Sequence, residues 1–503
     1  MPSQPDFPRT GRRAASPSSL SNHALSRRSF LTAMAAASTT AASAQAPAAP
    51  PAPRSGPPNI LFILADDLGY TAVRSYGGRH AKTPHLDRLA KQGIRFTDAY
   101  VTPQCTPTRA SLLTGQHTAR NRMWHVIPPY GYPYAPLKEP PYKANMERGT
   151  CTIAAALRDA GYTTAILGKW HLTRNDDGYY TMLYPEAATH YGFDYAPSKQ
   201  DPLEYQSHTD KGVDFLTNET IAFIERSKDR PFFAYLSHHT IHGPVLAPKD
   251  LTDAYRKRGY LASGIHNATY LAALEHMDAS IGRLLAKLDE LNLASNTIVV
   301  FLSDNGGIDT LFDNAPLRLG KGSPYEGGIR VPAIVRWPGV TPEGADSSVP
   351  VHVVDWYPTL LEAAGARAPA PTGPKGHPLD GVSLLPALRG GSLPERTLYW
   401  YMPLYDIQWG ATPCAVIREG DYKLIHFFGD HIDPERDYAL KLGERVELYN
   451  LKDDIGEQRD LALREEERAA AMKRKLRAWL QSLGAPMPTP NPAYDAADPF
   501  RRP

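Results

Sequence analysis

The feature that most constrains this chain is a set of short, unbroken apolar runs, each closed by polar residues. They are Ile60–Ala65, Thr163–Leu167, Phe232–Leu236, Ile298–Ser303 and Ala333–Trp337. Runs of this length without alternation fit strands buried on both faces, as in a parallel sheet covered by helices. Helical patterns lie between them, at Ile153–Ala160 (ended by Gly161) and Tyr270–Leu291. Strands alternating with helices predict an α/β fold with a large, mostly parallel or mixed central sheet flanked by helices.

The residues following the runs carry chemistry. Asp66 and Asp67 follow the first, Gly168, Lys169 and His171 the second, His238, His239 and His242 the third, and Asp304 and Asn305 the fourth. Ligands in open α/β sheets sit beyond the carboxyl ends of the strands, so these clusters are expected to converge. Asp66, Asp67, Asp304 and the Asn305 amide are hard oxygen donors of the kind Ca²⁺ and Mg²⁺ prefer, whereas Zn²⁺ would call for more His or Cys. Asp and Asn at strand ends also form turns and caps. Two such clusters after two buried strands favour a divalent cation.

Cys105 lies in Cys105-Thr106-Pro107-Thr108-Arg109. Pro107 suits the first position of a helix running to about Thr114, with Gly115 as its stop. Cys105 would then stand just before a helix N-terminus, where free N–H groups favour an anion. Arg109, four residues on, can reach the same face. A lone cysteine is more commonly a core residue, but Pro107 and Arg109 at these spacings count against that.

Composition sets the remaining bounds. The chain has 503 residues, 42% hydrophobic and 21% charged, enough for a large core. Residues 1–44 hold Arg9, Arg12, Arg13, Arg27 and Arg28 against Asp6 alone; without them the formal charge goes from +2 to −2. A near-neutral body argues against nucleic-acid binding. Ser26-Arg27-Arg28-Ser29-Phe30-Leu31, an Ala-rich apolar run and Ala42-Ser43-Ala44 follow one another as in a twin-arginine signal peptide. Residues 45–58 read as a Pro/Ala linker. Nothing after the signal is long and apolar enough for a membrane span. The three cysteines, Cys105, Cys151 and Cys414, allow at most one disulfide.

A change of composition at Gly365–Pro378 and a helical stretch at Asp380–Leu388 precede a second region. Its strand-like runs are Leu398–Tyr401, Cys414–Arg418, Tyr422–Phe427 and Val446–Tyr449, followed by a charged helix at about Leu463–Leu483 and a Pro-rich tail, Ala485–Pro503, expected to be loosely ordered. This divides the chain into residues 59–395, a larger α/β domain carrying the polar strand ends, and 396–503, a smaller C-terminal α+β subdomain with an antiparallel sheet.

The segment from Cys105 to Gly115 resembles the signature of type I sulfatases. Leu64–Gly69 and Ser303–Gly307 look like that family's two metal segments, Gly168–Leu172 its lysine–histidine segment, and Gly320–Gly328 its late lysine segment. Glu447-Leu448-Tyr449-Asn450-Leu451 is also similar. The likeness runs from about Asn59 to about Leu483.

The resemblance implies an alkaline-phosphatase-like fold and sulfate-ester hydrolysis. Cys105 would be oxidised to Cα-formylglycine by a formylglycine-generating maturation enzyme. Residue 105, Asp66, Asp67, Asp304 and Asn305 would hold Ca²⁺, with Mg²⁺ as the alternative. Lys169 and Lys321 would neutralise the sulfate, Arg109 would hold the diol, His171 would take the proton that releases sulfate, and His242, with Lys321, would serve the leaving oxygen. His242 is chosen over His238 and His239 because it precedes Gly243-Pro244. Thr173 stands where many members have glycine. The twin-arginine export machinery would deliver the folded protein to a periplasmic or secreted location.

Two aromatic-rich stretches could face a sulfated small molecule or glycan: Trp124, Tyr130, Tyr132, Tyr134 and Tyr142, and Tyr179, Tyr180, Tyr184 and Tyr191. His125, Lys143 or Arg174 would read polar groups; packing of the loops by their own aromatics is the alternative. A sulfated carbohydrate is favoured over a simple aryl sulfate. The rival readings are a phosphate or phosphonate ester hydrolase of the same superfamily, and a non-catalytic sulfated-glycan-binding protein with Cys105 unconverted.

Overall fold

The computed structural model describes residues 56–126, 131–173, 190–197, 209–370, 376–432 and 439–501. Its centre is a seven-stranded sheet in the order Thr163–Gly168, Phe232–Ser237, Asn59–Ala65, Thr297–Ser303, Ala333–Arg336, Ile94–Phe96, Ala345–Ser347. The first four strands are mutually parallel. Ala333–Arg336 runs antiparallel to both its neighbours, so the sheet is mixed. All five apolar runs are strands of this sheet.

The unbroken runs follow from burial on both faces. Ile60, Phe62 and Leu64 enter one apolar cluster with Ala110, Leu112 and Leu113 of the Cys105–Thr114 helix and Trp356, Leu360 and Leu361 of the Trp356–Ala363 helix. Leu61, Ile63 and Ala65 enter a second cluster with helices Pro84–Lys91, Val213–Ser227 and Ala268–Glu290. The period-two alternation of a strand places successive apolar side chains in opposite layers. Each fully buried Leu or Ile contributes about 1.5–3 kcal/mol relative to exposure.

A separate antiparallel sheet, ordered Thr397–Met402, Cys414–Glu419, Tyr422–Phe427, Arg445–Asn450, carries the C-terminal core. Ala469, Met472, Leu476 and Leu480 of the Glu466–Ser482 helix pack on it. Trp124, Tyr325 and Ile329 from the larger layer share that cluster.

Two local expectations change. Within Asp380–Leu388 only Leu385–Leu388 is helical. Its earlier part is held by side chains: Asp355 accepts from Val382 N, and the Thr359 hydroxyl accepts from Leu384 N. The tail is pinned through residue 501 rather than loose. Thr489–Pro490 pairs with Leu137–Lys138, the Asn491 amide donates to Pro133 and Ala135 carbonyls, and Arg501 lies 4.0 Å over the Tyr134 ring. No described helix is long and apolar enough to cross a membrane, and Cys105, Cys151 and Cys414 are all unpaired thiols.

Candidate active site

The strand ends are level. Leu64 pairs with Ser237, Ala65 with Ser303, and Gly168 with Ser237. The segments after these strands therefore leave the sheet side by side. Asp66 N donates to Thr240 O at 3.0 Å, Ile241 N donates back to Asp66 O, and Asp67 N donates to Asp304 Oδ1 at 3.1 Å. Asp67 has φ +60°, a conformation that Asp tolerates better than most residues.

Cys105 reaches these ends from the helix that it begins. The helix is Cys105–Thr114, two residues longer at its start than Pro107 predicts. Pro107 occupies the third position, where the backbone N–H has no partner within the helix in any case. Gly115 closes the helix at φ +65°, and a Cβ there would lie 2.9 Å from Tyr357 Cβ, so glycine is required twice over. Every residue of this helix is buried.

Lys321 arrives by a close backbone approach. Gly306 N donates to Gly328 O at 3.0 Å and Lys321 N to Gly307 O at 3.0 Å. A Cβ on Gly306 would stand 1.7 Å from Gly327 O, so only glycine lets the two segments meet.

Together these elements form a buried charge cluster. Cys105 Sγ lies 3.5 Å from Asp66 Oδ1 and 3.9 Å from Asp67 Oδ1. Lys169 Nζ donates to Asp66 Oδ2 at 2.6 Å. Lys321 Nζ is 2.7 Å from Asp67 Oδ1. Arg109 donates to Asp304 Oδ2 through Nη2 at 2.6 Å and Nε at 3.1 Å, and to the Lys169 carbonyl at 3.1 Å. The Ser237 hydroxyl accepts from Arg109 Nη1 and donates to Lys169 O at 2.7 Å. Three carboxylates face three permanent cations in a water-poor site, where each uncompensated charge would cost several kcal/mol.

The titration behaviour follows. Burial would raise Asp66, but Lys169, His242 and Arg109 override it and hold the carboxyl well below the usual range. Burial, then repulsion from Asp66, raises Asp304 to about 6. Burial, then the Asp304 charge, pushes the Cys105 thiol far up, so the thiol stays protonated and is a poor nucleophile at neutral pH.

The donor set fits a hard divalent cation. Ligand atoms of Asp66, Asp67, Cys105 and Asp304 lie within 4.8 Å of one another. The Asn305 amide donates from Nδ2 to Asp67 Oδ1 at 2.7 Å, and its Oδ1 is buried without a hydrogen-bond partner. A buried carbonyl oxygen left without a donor beside three carboxylates is what a cation would satisfy.

The histidines divide. His242 Nδ1 bonds Gly243 O at 2.6 Å, and its Nε2 is 3.9 Å from Asp67 Oδ2. Burial and Lys321 lower it to about 4. His171 has φ +58°, and its carbonyl accepts from the Thr106 hydroxyl at 2.9 Å, which ties its loop to the Cys105 helix. His238 is fully buried, and both of its ring nitrogens lack hydrogen-bond partners. His239 is also buried, and burial, then Lys169, holds it well below its ordinary range. Thr173 accepts from the Trp170 indole at 3.1 Å.

Several of the candidate substrate-facing side chains have partners within the fold. Trp124 is buried against Tyr401, and Tyr191 against Trp170. Tyr132 and Tyr134 pack against Phe500 and Arg501 of the tail. His125 is buried on Glu139 at 2.6 Å, and Lys143 pairs with Glu147. Tyr142 lies beside His125. Tyr130, Arg174, Tyr179, Tyr180 and Tyr184 lie outside the described residues.

The sulfatase family model matches residues 58–366 of this chain. The chain belongs to the sulfatase family. A second model, the C-terminal region of N-sulphoglucosamine sulphohydrolase, matches residues 319–485. A sulfatase of Formosa agariphila is 33% identical, over 85% of this chain and 90% of its own. Arylsulfatase A of Bos taurus is 32% identical, over 80% and 83%. The solved structure of Ps i-CgsB in complex with k-i-k-neocarrahexaose matches with TM-score 0.68 and 26% identity, over 88% of this chain and 96% of that one. The phosphonate monoester hydrolase of Silicibacter pomeroyi, at 21% identity and TM-score 0.59, shares the fold. The sulfatase is thus a sulfuric ester hydrolase with an alkaline-phosphatase-like architecture.

Sequence reasoning missed three side chains at this site. Ser237 directly follows the predicted Phe232–Leu236 run and is the last residue of the observed strand, a position that could have marked it. Gln104 donates to the Asp406 carboxylate, which burial raises to about 7. Lys211 donates to the loop that carries His242. Nothing local in the sequence distinguishes the last two.

Proposed function

We propose that this sulfatase hydrolyses sulfate esters through formylglycine formed at position 105, with a sulfated carbohydrate as substrate. The observation carrying the reading is the placement of Cys105 Sγ, 3.5 Å from Asp66 and among Asp67 and Asp304, with the thiol kept protonated by burial and acid neighbours. A thiol is ill suited to attack from that position. After conversion, residue 105 would supply a geminal diol, one hydroxyl to attack sulfur and a second whose deprotonation expels sulfate.

The chain's own groups set up both steps. Lys169 and Lys321 oppose the charge on the sulfate oxygens and on the oxygen that departs, which strengthens as the S–O bond breaks. Arg109, fixed by Asp304 and Ser237, holds residue 105 in register with the carboxylates. His171 would accept the proton from the remaining hydroxyl, and His242 Nε2 would serve the departing alcohol, with Lys321 beside it. Burial lowers His242 first, and the further lowering by Lys321 would be offset when an anionic substrate balances that lysine. Asp66, Asp67, Asp304, Asn305 and residue 105 would hold Ca²⁺, or Mg²⁺ in its place, which supplies Lewis-acid charge to the sulfate.

The carbohydrate assignment rests on the oligosaccharide bound by Ps i-CgsB, which this chain resembles along nearly its whole length. The phosphonate hydrolase reading has only fold-level likeness behind it. Residues 1–44 would act as a twin-arginine signal, residues 59–395 as the catalytic domain and 396–503 as its C-terminal subdomain. The folded enzyme would then reach the periplasm or exterior after maturation. Mass spectrometry of the peptide containing residue 105 from active native-host protein tests the mechanism: formylglycine is expected, and an unmodified thiol in active enzyme overturns it. Rates on matched aryl sulfate and aryl phosphate test the substrate class, a strong phosphate preference being the contrary result.

A further inference from the structure

The His242 loop is held by a buried lysine from another element. Lys211 precedes the Val213–Ser227 helix and has φ +57°. Its side chain is buried, and Nζ donates to His242 O and, at 3.0 Å, to Pro244 O. The carbonyl between these two, Gly243 O, accepts from His242 Nδ1 at 2.6 Å. Three successive carbonyls are thereby assigned: the outer two to Lys211, the middle one to the imidazole. With Nδ1 fixed, Nε2 faces the site, 3.9 Å from Asp67 Oδ2.

We infer that Lys211 is a positioning residue whose ammonium sets the peptide planes of His242–Pro244 and so aims His242 Nε2 at the departing oxygen. The inference rests on the reading of His242 as the leaving-group acid. Among the described residues no carboxylate lies within 4.0 Å of Lys211 Nζ, so the cation is buried on neutral carbonyls alone. Burial lowers it to about 8, against the pull of Asp66 and with the push of Lys169. A buried lysine without a paired acid is unfavourable to the fold by itself. A charged donor to two carbonyls, however, fixes a turn more firmly than neutral contacts do.

The test uses the mature enzyme and a series of aryl sulfates of graded leaving-group basicity. His242→Ala should steepen the dependence of kcat on leaving-group pKa. Lys211→Met should steepen it in the same sense, lowering kcat about tenfold or more on unactivated phenol leaving groups and leaving nitro-activated ones nearly unchanged. The double variant should be no slower than His242→Ala, because residues that act through one another are not additive. Lys211→Gln, which keeps a donor without the charge, should fall between wild type and Lys211→Met, and it carries the test if the methionine variant does not fold. A uniform loss across all leaving groups in both Lys211 variants, with His242→Ala still steep, overturns the role of Lys211 alone. A flat response in His242→Ala removes the leaving-group reading and the inference with it.

Discussion

The Lys321 ammonium sits 2.7 Å from Oδ1 and 2.9 Å from Oδ2 of Asp67, joining residues 254 positions apart. Lys169 and Asp66 make the parallel pair at 2.6 Å. Asp66 and Asp67 therefore each have a lysine on them, Asp304 has Arg109, and each lysine suited to a sulfate oxygen has a carboxylate on it. Binding a divalent cation on the carboxylates and a sulfate-ester monoanion on the lysines would change the net charge of the site by only one, which the departing sulfate dianion would cancel. Lys321→Met should lower kcat by about 10²–10³, the usual cost of one charge-stabilising donor. Steady-state kinetics on an aryl sulfate checks this, and an unchanged kcat would remove Lys321 from the reaction.

The unpartnered Asn305 Oδ1 gives a metal prediction with a readout independent of turnover. Calcium should raise the melting temperature of chelator-treated protein, since a ligand bound only to the folded state at about 100 times its Kd adds about 2.7 kcal/mol. Asn305→Ala should weaken calcium binding by about tenfold or more in calorimetry while leaving the fold intact. Equal affinity in the variant would place the amide outside the coordination sphere.

Arg109 and Asp304 are both fully buried, and their ion pair is bidentate on one carboxylate oxygen. Arg109→Met leaves Asp304 without its partner and should destabilise the protein by about 3–5 kcal/mol in denaturant unfolding. Arg109→Lys should recover little of it, because an ammonium cannot reach Asp304, Lys169 O and Ser237 together.

A carboxyl outside the site sets a pH dependence of stability. Asp278 accepts from Leu86 N at 2.8 Å and His85 N at 3.0 Å, yet burial raises it from 3.8 to about 7. A raised folded-state pKa means that the native state binds the proton more tightly than the unfolded chain does. Its contribution is therefore fully present below pH 3.8 and is lost as pH rises through about 7. Asp278→Asn should flatten that part of the profile of melting temperature against pH between pH 4 and 7, about the window of the shift. An identical slope in both proteins would contradict it.

The parts legible in the sequence are those with a local signature. Strands buried on both faces announce themselves as unbroken apolar runs, and the polar residues after them mark the ligand end of a parallel sheet. Cys105, Pro107, Arg109 and Gly115 mark a helix start and stop within a few residues. The tail misled because proline-rich composition says nothing of the edge available at Leu137–Lys138. The aromatics of the Trp124 region misled because composition cannot tell a ring that faces a ligand from one that fills a core; Trp124 does the latter. Asp380–Leu384 misled because the side chains of Asp355 and Thr359 take the N–H groups that a helix would have used.

The sequence by itself determined the strands, the identities of the carboxylates, lysines and histidines, and the thiol at the head of a helix, since each depends on periodicity or spacing over a few residues. Only the tertiary structure decided which of these groups touch. The level register of four parallel strand ends brings Asp66, Lys169, Ser237 and Asp304 together. The glycine contact at Gly306 brings in Lys321, and Lys211 reaches His242 from the start of a separate helix. Those pairings form across tens to hundreds of residues, where no local pattern records them, and they are selected because a buried charge is tolerable only when its partner is in reach.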